Sequence, residues 1–223
     1  MRRTLLAIAL ALSVSAVQAN EGDGDDISHI NGGITADAGQ HYGDLDTVNG
    51  GISLRRGASA ADVETVNGGI SIEDDVELKS VQTVNGGINA GERVKVTQGA
   101  ETVNGGIRFG FNSRVGGDIA TVNGGITVKQ SEVGGQIRTV GGDITIGARS
   151  VIHGGILVEK PHGLSWGHQR TPRIVIGPNT VVQGPLRFER EVELFVHPTA
   201  KIGAVTGATA NAYTDTLPAR HGD

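Results

Sequence analysis

Cysteine is absent from the 223 residues, and methionine and tryptophan occur once each. Without cysteine there is no disulfide scaffold, no thiolate metal site and no thioether lipid anchor. Aromatic residues make up 3% of the chain, too few to fill a bulky core, where such side chains carry much of the buried area. Six prolines, and glycines that follow no three-residue period, exclude collagen. No apolar run beyond the N-terminus is long enough to cross a bilayer. What the chain has in abundance is glycine, 36 residues, and small aliphatic residues recurring at fixed places.

Residues 1–19 read as a secretory signal peptide. Arg2 and Arg3 form a basic start, Leu5 to Val14 an apolar segment, and Val17-Gln18-Ala19 a small-residue cleavage site before Asn20. The remaining chain carries 17 basic and 24 acidic residues, a net charge of −7, which argues against nucleic acid as a partner. The address expected is the periplasm or the cell surface of a bacterium, with no membrane span after cleavage. Residues 20–28 form an acidic leader, and residues 209–223, which show no pattern, a loose tail.

Between them lies a repeat. His29-Ile30-Asn31-Gly32-Gly33-Ile34 is followed by Thr-Val-Asn-Gly-Gly-Ile from Thr47, Thr65, Thr83, Thr102 and Thr121, and by a Thr139-Val140-Gly141-Gly142-Asp143-Ile144 variant. The spacing is 18 or 19 residues throughout. Numbered from the Thr, positions 2, 6, 8 and 17 are apolar and position 7 is polar, so each unit holds several short segments with an inward apolar face. Asn-Gly also suits a hairpin of an antiparallel meander. However, Val115-Gly116-Gly117-Asp118-Ile119 lies only seven residues before Val122, leaving no room for useful hairpin strands. The expectation is an all-β, single-stranded parallel β-helix over residues 29–208, with about nine coils of 18–19 residues.

In such a coil Asn31, Asn49, Asn67, Asn85, Asn104 and Asn123 stack as a structural column. Asn tolerates the positive φ of a tight corner and bonds the next amide along the axis, and the glycine pair supplies the remaining corner dihedrals. The threonines are expected as an outward rank; ice-binding solenoids carry flat Thr-x-Thr arrays, whereas the second rank here is Asn. Further on, Ile144 to Ile156 matches Ile174 to Leu186 at an offset of 30, which reads as one 18-residue coil plus a twelve-residue insertion over residues 161–172. The insertion is the best address for binding. Lys160, His162, His168, Arg170 and Arg173 gather cations around Trp166, a set suited to stacking on a sugar while meeting its anionic groups. The acidic residues scatter, so no catalytic residue, metal site or cofactor is assigned. Asp118 and Asp143 remain candidates for the alternative, a polysaccharide-cleaving β-helix enzyme.

The Thr-Val-Asn-Gly-Gly-Ile units resemble the bacterial adhesin-like proteins built from β-strand repeats. The stretch from Ile144 to Ala208, with its Ile-Gly-x-x-x-x-Val-x-Gly turns, is similar to the bactofilins, polymer-forming cytoskeletal proteins. Both resemblances imply a parallel β-helix without catalytic residues. The adhesin resemblance implies surface attachment, and the Trp166 insertion makes envelope or extracellular glycan the partner expected. A solenoid with uncovered ends is also expected to associate weakly end to end.

Overall fold

The computed structural model describes residues 24–161 and 170–214, and every strand pair in it is parallel. The chain is a stack of coils with three sides, and no helix occurs among the described residues. One side is a ten-stranded ladder that begins at Ile34–Ala36, passes through Ile107–Phe109 and ends at Ala210–Ala212. The other two sides share a 16-stranded sheet. Ten rungs at about 4.8 Å give a rod of about 43 Å. The tenth rung lies in the stretch expected as a loose tail: Ala210–Ala212 pairs with Leu194 to Val196, although its alanines carry no apolar signature. At the other end the first strand, Asp25–Asn31, starts within the expected acidic leader and pairs with Tyr42–Asn49. The expected signal peptide lies outside the described residues.

In the first four coils one long strand covers the first and second sides together, as in Ser59–Asn67 and Glu77–Thr83. From the fifth coil onward it divides into two short strands, such as Lys95–Val96 and Ala100–Asn104. A single added residue is the cause. Leu78 and Val81, both buried, are three positions apart, whereas their partners Val96 and Ala100 are four apart. The strand cannot keep its pairing across the extra residue and turns a corner at Thr97-Gln98-Gly99.

The core is a set of aliphatic columns. Ile34, Ile52, Ile70, Ile88, Ile107, Ile126, Ile144 and Ile174 stack on the third side, each fully buried or nearly so. Leu45, Val63, Val81, Ala100, Ile119, Ile137 and Ile156 stack on the second. Each buried isoleucine contributes about 1.5–3 kcal/mol, so these columns dominate the stability of the coil. Phe109, 0% exposed, fits because its neighbour on the preceding coil is only Ala90.

Two expectations about side-chain direction are reversed. The threonines at position 1 point inward, with Thr47, Thr65, Thr83, Thr102, Thr121 and Thr139 all buried, so no outward threonine rank exists. Consequently the aliphatic residues at position 2, next along the strand, point outward: Ile30 is 70% exposed, and Val48, Val66, Val84, Val103, Val122 and Val140 are half-buried. The insertion is also shorter than its offset suggests. Ile156 to Ile174 takes 18 residues where Ile137 to Ile144 takes seven, an excess of eleven.

Candidate functional site

The Asn-Gly-Gly corner is built for holding coils together. The Nδ2 group of each asparagine donates to Oδ1 of the one before it: Asn49 to Asn31 at 3.1 Å, Asn67 to Asn49 at 3.0 Å, Asn85 to Asn67 and Asn104 to Asn85 at 2.9 Å, and Asn123 to Asn104 at 3.0 Å. The expected column therefore exists, but not for the expected backbone reason. Among the described residues, the non-glycine residues with positive φ are Asp75, Arg93, Asn112, Gln130, Arg149 and Asn179, at the corner between the third and first sides. The glycines of the Asn corner answer a different need. A Cβ on Gly68, Gly86 or Gly105 would run into the carbonyl of the equivalent glycine one coil earlier. That same carbonyl takes a hydrogen bond from the buried threonine, as from Thr65 to Gly50 and from Thr102 to Gly86, each at 2.8 Å.

Of the residues gathered around the insertion, His162, Trp166 and His168 lie outside the described residues. Arg173 is 9% exposed and serves the coil: its Nε donates to Glu193 at 2.8 Å and its guanidinium lies 5.1 Å from the Phe195 ring centre. That burial removes Arg173 from a binding surface, a correction to the sequence reading that its local cation pattern could not reveal. Arg170 is more open and pairs with Asp143 at 3.1 Å. Lys160 is exposed, and its backbone N–H donates to Glu189 at 3.3 Å. The two aspartates considered for catalysis also have coil-to-coil partners. Asp143 accepts the Arg173 N–H at 2.8 Å, and Asp118 accepts the Gln136 N–H at 2.7 Å beside Arg138.

The acidic residues are more ordered than the sequence reading allowed. Asp44 accepts the Asp62 N–H at 3.1 Å, and Asp26 the Asp44 N–H at 2.9 Å, so three carboxylates follow one another along the rod. Beside them Asp46 stacks on Glu64. Burial, reinforced by the surrounding carboxylates, pushes the Asp46 and Glu64 carboxyls above their ordinary range. Asp62 goes the other way, held down against its own burial by hydrogen bonds from Lys79 and Ser80 at 2.6 Å each. The signal for this cluster was present as an 18-residue spacing of acids outside the repeated hexapeptide.

On the first side, charges bridge successive coils. Arg114 meets Glu132 at 2.7 Å, and His153 spans from Glu132 at 3.1 Å to Gln183 at 2.9 Å. Accepting partners at both ring nitrogens favour the imidazolium and raise the His153 pKa, the Gln183 contact contributing most. At the N-terminal end His41 Nδ1 contacts the Ser59 hydroxyl in a shallow groove shared with Tyr42, Glu77 and Lys79. Among the described residues no group of three His, Asp or Glu is placed to hold a metal ion. Comparison with family models, curated proteins and solved structures finds no match.

Proposed function

We propose that this chain is an exported, non-enzymatic β-solenoid with a structural or adhesive role at the bacterial cell envelope. The observation that carries the reading is the use made of the repeated hexapeptide. Its Asn amide, its Thr hydroxyl and its first Gly each contact the neighbouring coil, so the most repeated residues serve rigidity. The acids that a glycan-cleaving site would draw on, Asp118 and Asp143, are tied to the backbone of the next coil and to arginines. The signal peptide read at residues 1–19 supports a periplasmic or cell-surface location, and envelope or extracellular glycan is the partner to test.

The purified protein is expected to co-sediment with isolated envelope or peptidoglycan sacculi and to release no soluble sugar from them. Removing residues 161–171 separates two seats of binding. Loss of co-sedimentation with the coil intact puts attachment on the insertion, and retention puts it on the coil sides. Sugar release that disappears in Asp143→Asn or Asp118→Asn would replace this reading with the enzymatic one.

A further inference from the structure

The second side of the rod presents an outward row of Ile30, Val48, Val66, Val84, Val103, Val122 and Val140, one aliphatic side chain per coil. Beside it runs a second row, whose members pair in register: Ser28, Asp46, Glu64, Gln82, Glu101, Ala120, Arg138, Leu157 and Arg187; within it Ala120 is buried, and Arg138 also meets Glu101 at 3.8 Å and Asp118 at 3.4 Å in its own chain. This row is acidic towards the N-terminal end and carries its arginines towards the other. The whole rod shares that polarity. Residues 24–93 carry 12 acidic and four basic residues, whereas residues 94–214 carry eight acidic and 12 basic.

We propose that this side is a homodimer interface, on which two copies lie antiparallel with the aliphatic row of one packed against the aliphatic row of the other. Rows of like side chains at the strand spacing interdigitate into dry contacts between facing sheets, and valine suits such a contact. A two-fold axis along the strand direction lays each row onto its own reverse in the partner. With the axis between the Val84 and Val103 coils, Val84 meets Val103, Val66 meets Val122 and Val48 meets Val140. In the adjoining row Asp46 then meets Arg138, Glu64 meets Ala120 and Gln82 meets Glu101.

Charge fixes that register. A shift of one coil in one direction sets Glu64 against Glu101, and in the other sets Glu101 against its own copy. A parallel arrangement would bring the two acidic halves together. The carboxyl of Asp46, crowded by acids in a single copy, gains a cation only in the antiparallel pair. The face is narrow, so the dimer should dissociate on dilution. This inference is independent of the envelope role.

The absence of cysteine makes the test clean, because introduced thiols have no competitors. Val66→Cys/Val122→Cys places two thiols about 14 Å apart within one chain, three coils at the strand spacing, too far to bridge internally. Mild oxidation should link it into species of twice the chain mass, while Ile30→Cys/Val66→Cys, whose thiols lie at least two coils from every other thiol within and across the pair, stays unlinked. Sedimentation velocity of the purified protein should show a monomer–dimer equilibrium, shifted to monomer by Val103→Asp and, with the β-branched shape kept, by Val103→Thr. Circular dichroism confirms the coil in each variant. A protein monomeric at every concentration overturns the inference. So do equal cross-linking of the two cysteine pairs and end-to-end oligomers larger than a dimer.

Discussion

Thr102 carries its hydroxyl inside the coil, 0% exposed and 2.8 Å from the Gly86 carbonyl. Thr102→Val keeps the shape but leaves that carbonyl without its donor, so a loss of about 1–3 kcal/mol is expected in a denaturant melt. Gly86→Ala should cost more, since its Cβ meets backbone rather than a movable side chain. Along the Asn ladder, Asn85 takes part in two amide bonds and Asn31 in one, so Asn85→Ala should lower the melting temperature further than Asn31→Ala. The position of this ladder was legible from the 18-residue period, because identical residues one coil apart must stack. The inward threonine was not legible. Its methyl and hydroxyl fit either face of a strand, and only the neighbouring carbonyl decides between them. The titrating residues divide by sign. The folded pKa values of Asp46 and Glu64 are raised, so the folded chain takes up their protons more readily than the unfolded chain. Acidifying from neutrality into the range just above ordinary carboxylates should therefore relieve these coils, and Asp46→Asn should raise the melting temperature at pH 7. His153 has its pKa raised too, but as a base: its contribution is complete below the ordinary histidine value and fades as pH rises through the folded one. His153→Ala should accordingly flatten the pH dependence of the melt on that limb.

Among the elements, the long strands of the first coils and the split strands of the later ones differ by one residue at the corner near Gln98. No propensity marks that change; it shows only when apolar positions are counted from coil to coil. The insertion was visible from its bracketing prolines and its offset. Its length was misjudged by one residue because a coil takes either 18 or 19 residues, and the coil that holds the insertion is of the longer kind. Deleting residues 161–171 restores the seven-residue step between the second and third sides and keeps Arg173, which the coil needs. Such a deletion should leave the circular dichroism of the coil unchanged and shift thermal unfolding by only a few degrees, since loop closure depends weakly on length. The final strand, Ala210–Ala212, escaped the sequence reading for the opposite reason. It is held by backbone pairing to its neighbour with little apolar burial, and a pattern based on hydrophobicity cannot register that.

Taken as a molecule, the rod orders its strands so that each strand pairs only with the coil before and the coil after, and few side chains, such as Arg190 on the Val140 carbonyl, reach two coils away. Stability in such an array is a sum of coil and neighbour contributions, and unfolding can advance one coil at a time. The ladder of asparagines, threonines and isoleucines therefore has a mechanical meaning. Pulled by its two ends, the chain should yield in repeated small steps rather than in one rupture. Each step frees about 18 residues, or about 60 Å of extended backbone, where the folded coil occupied about 4.8 Å. A tether made this way absorbs stretch by lengthening more than tenfold where it is loaded, and coils away from the load remain wound.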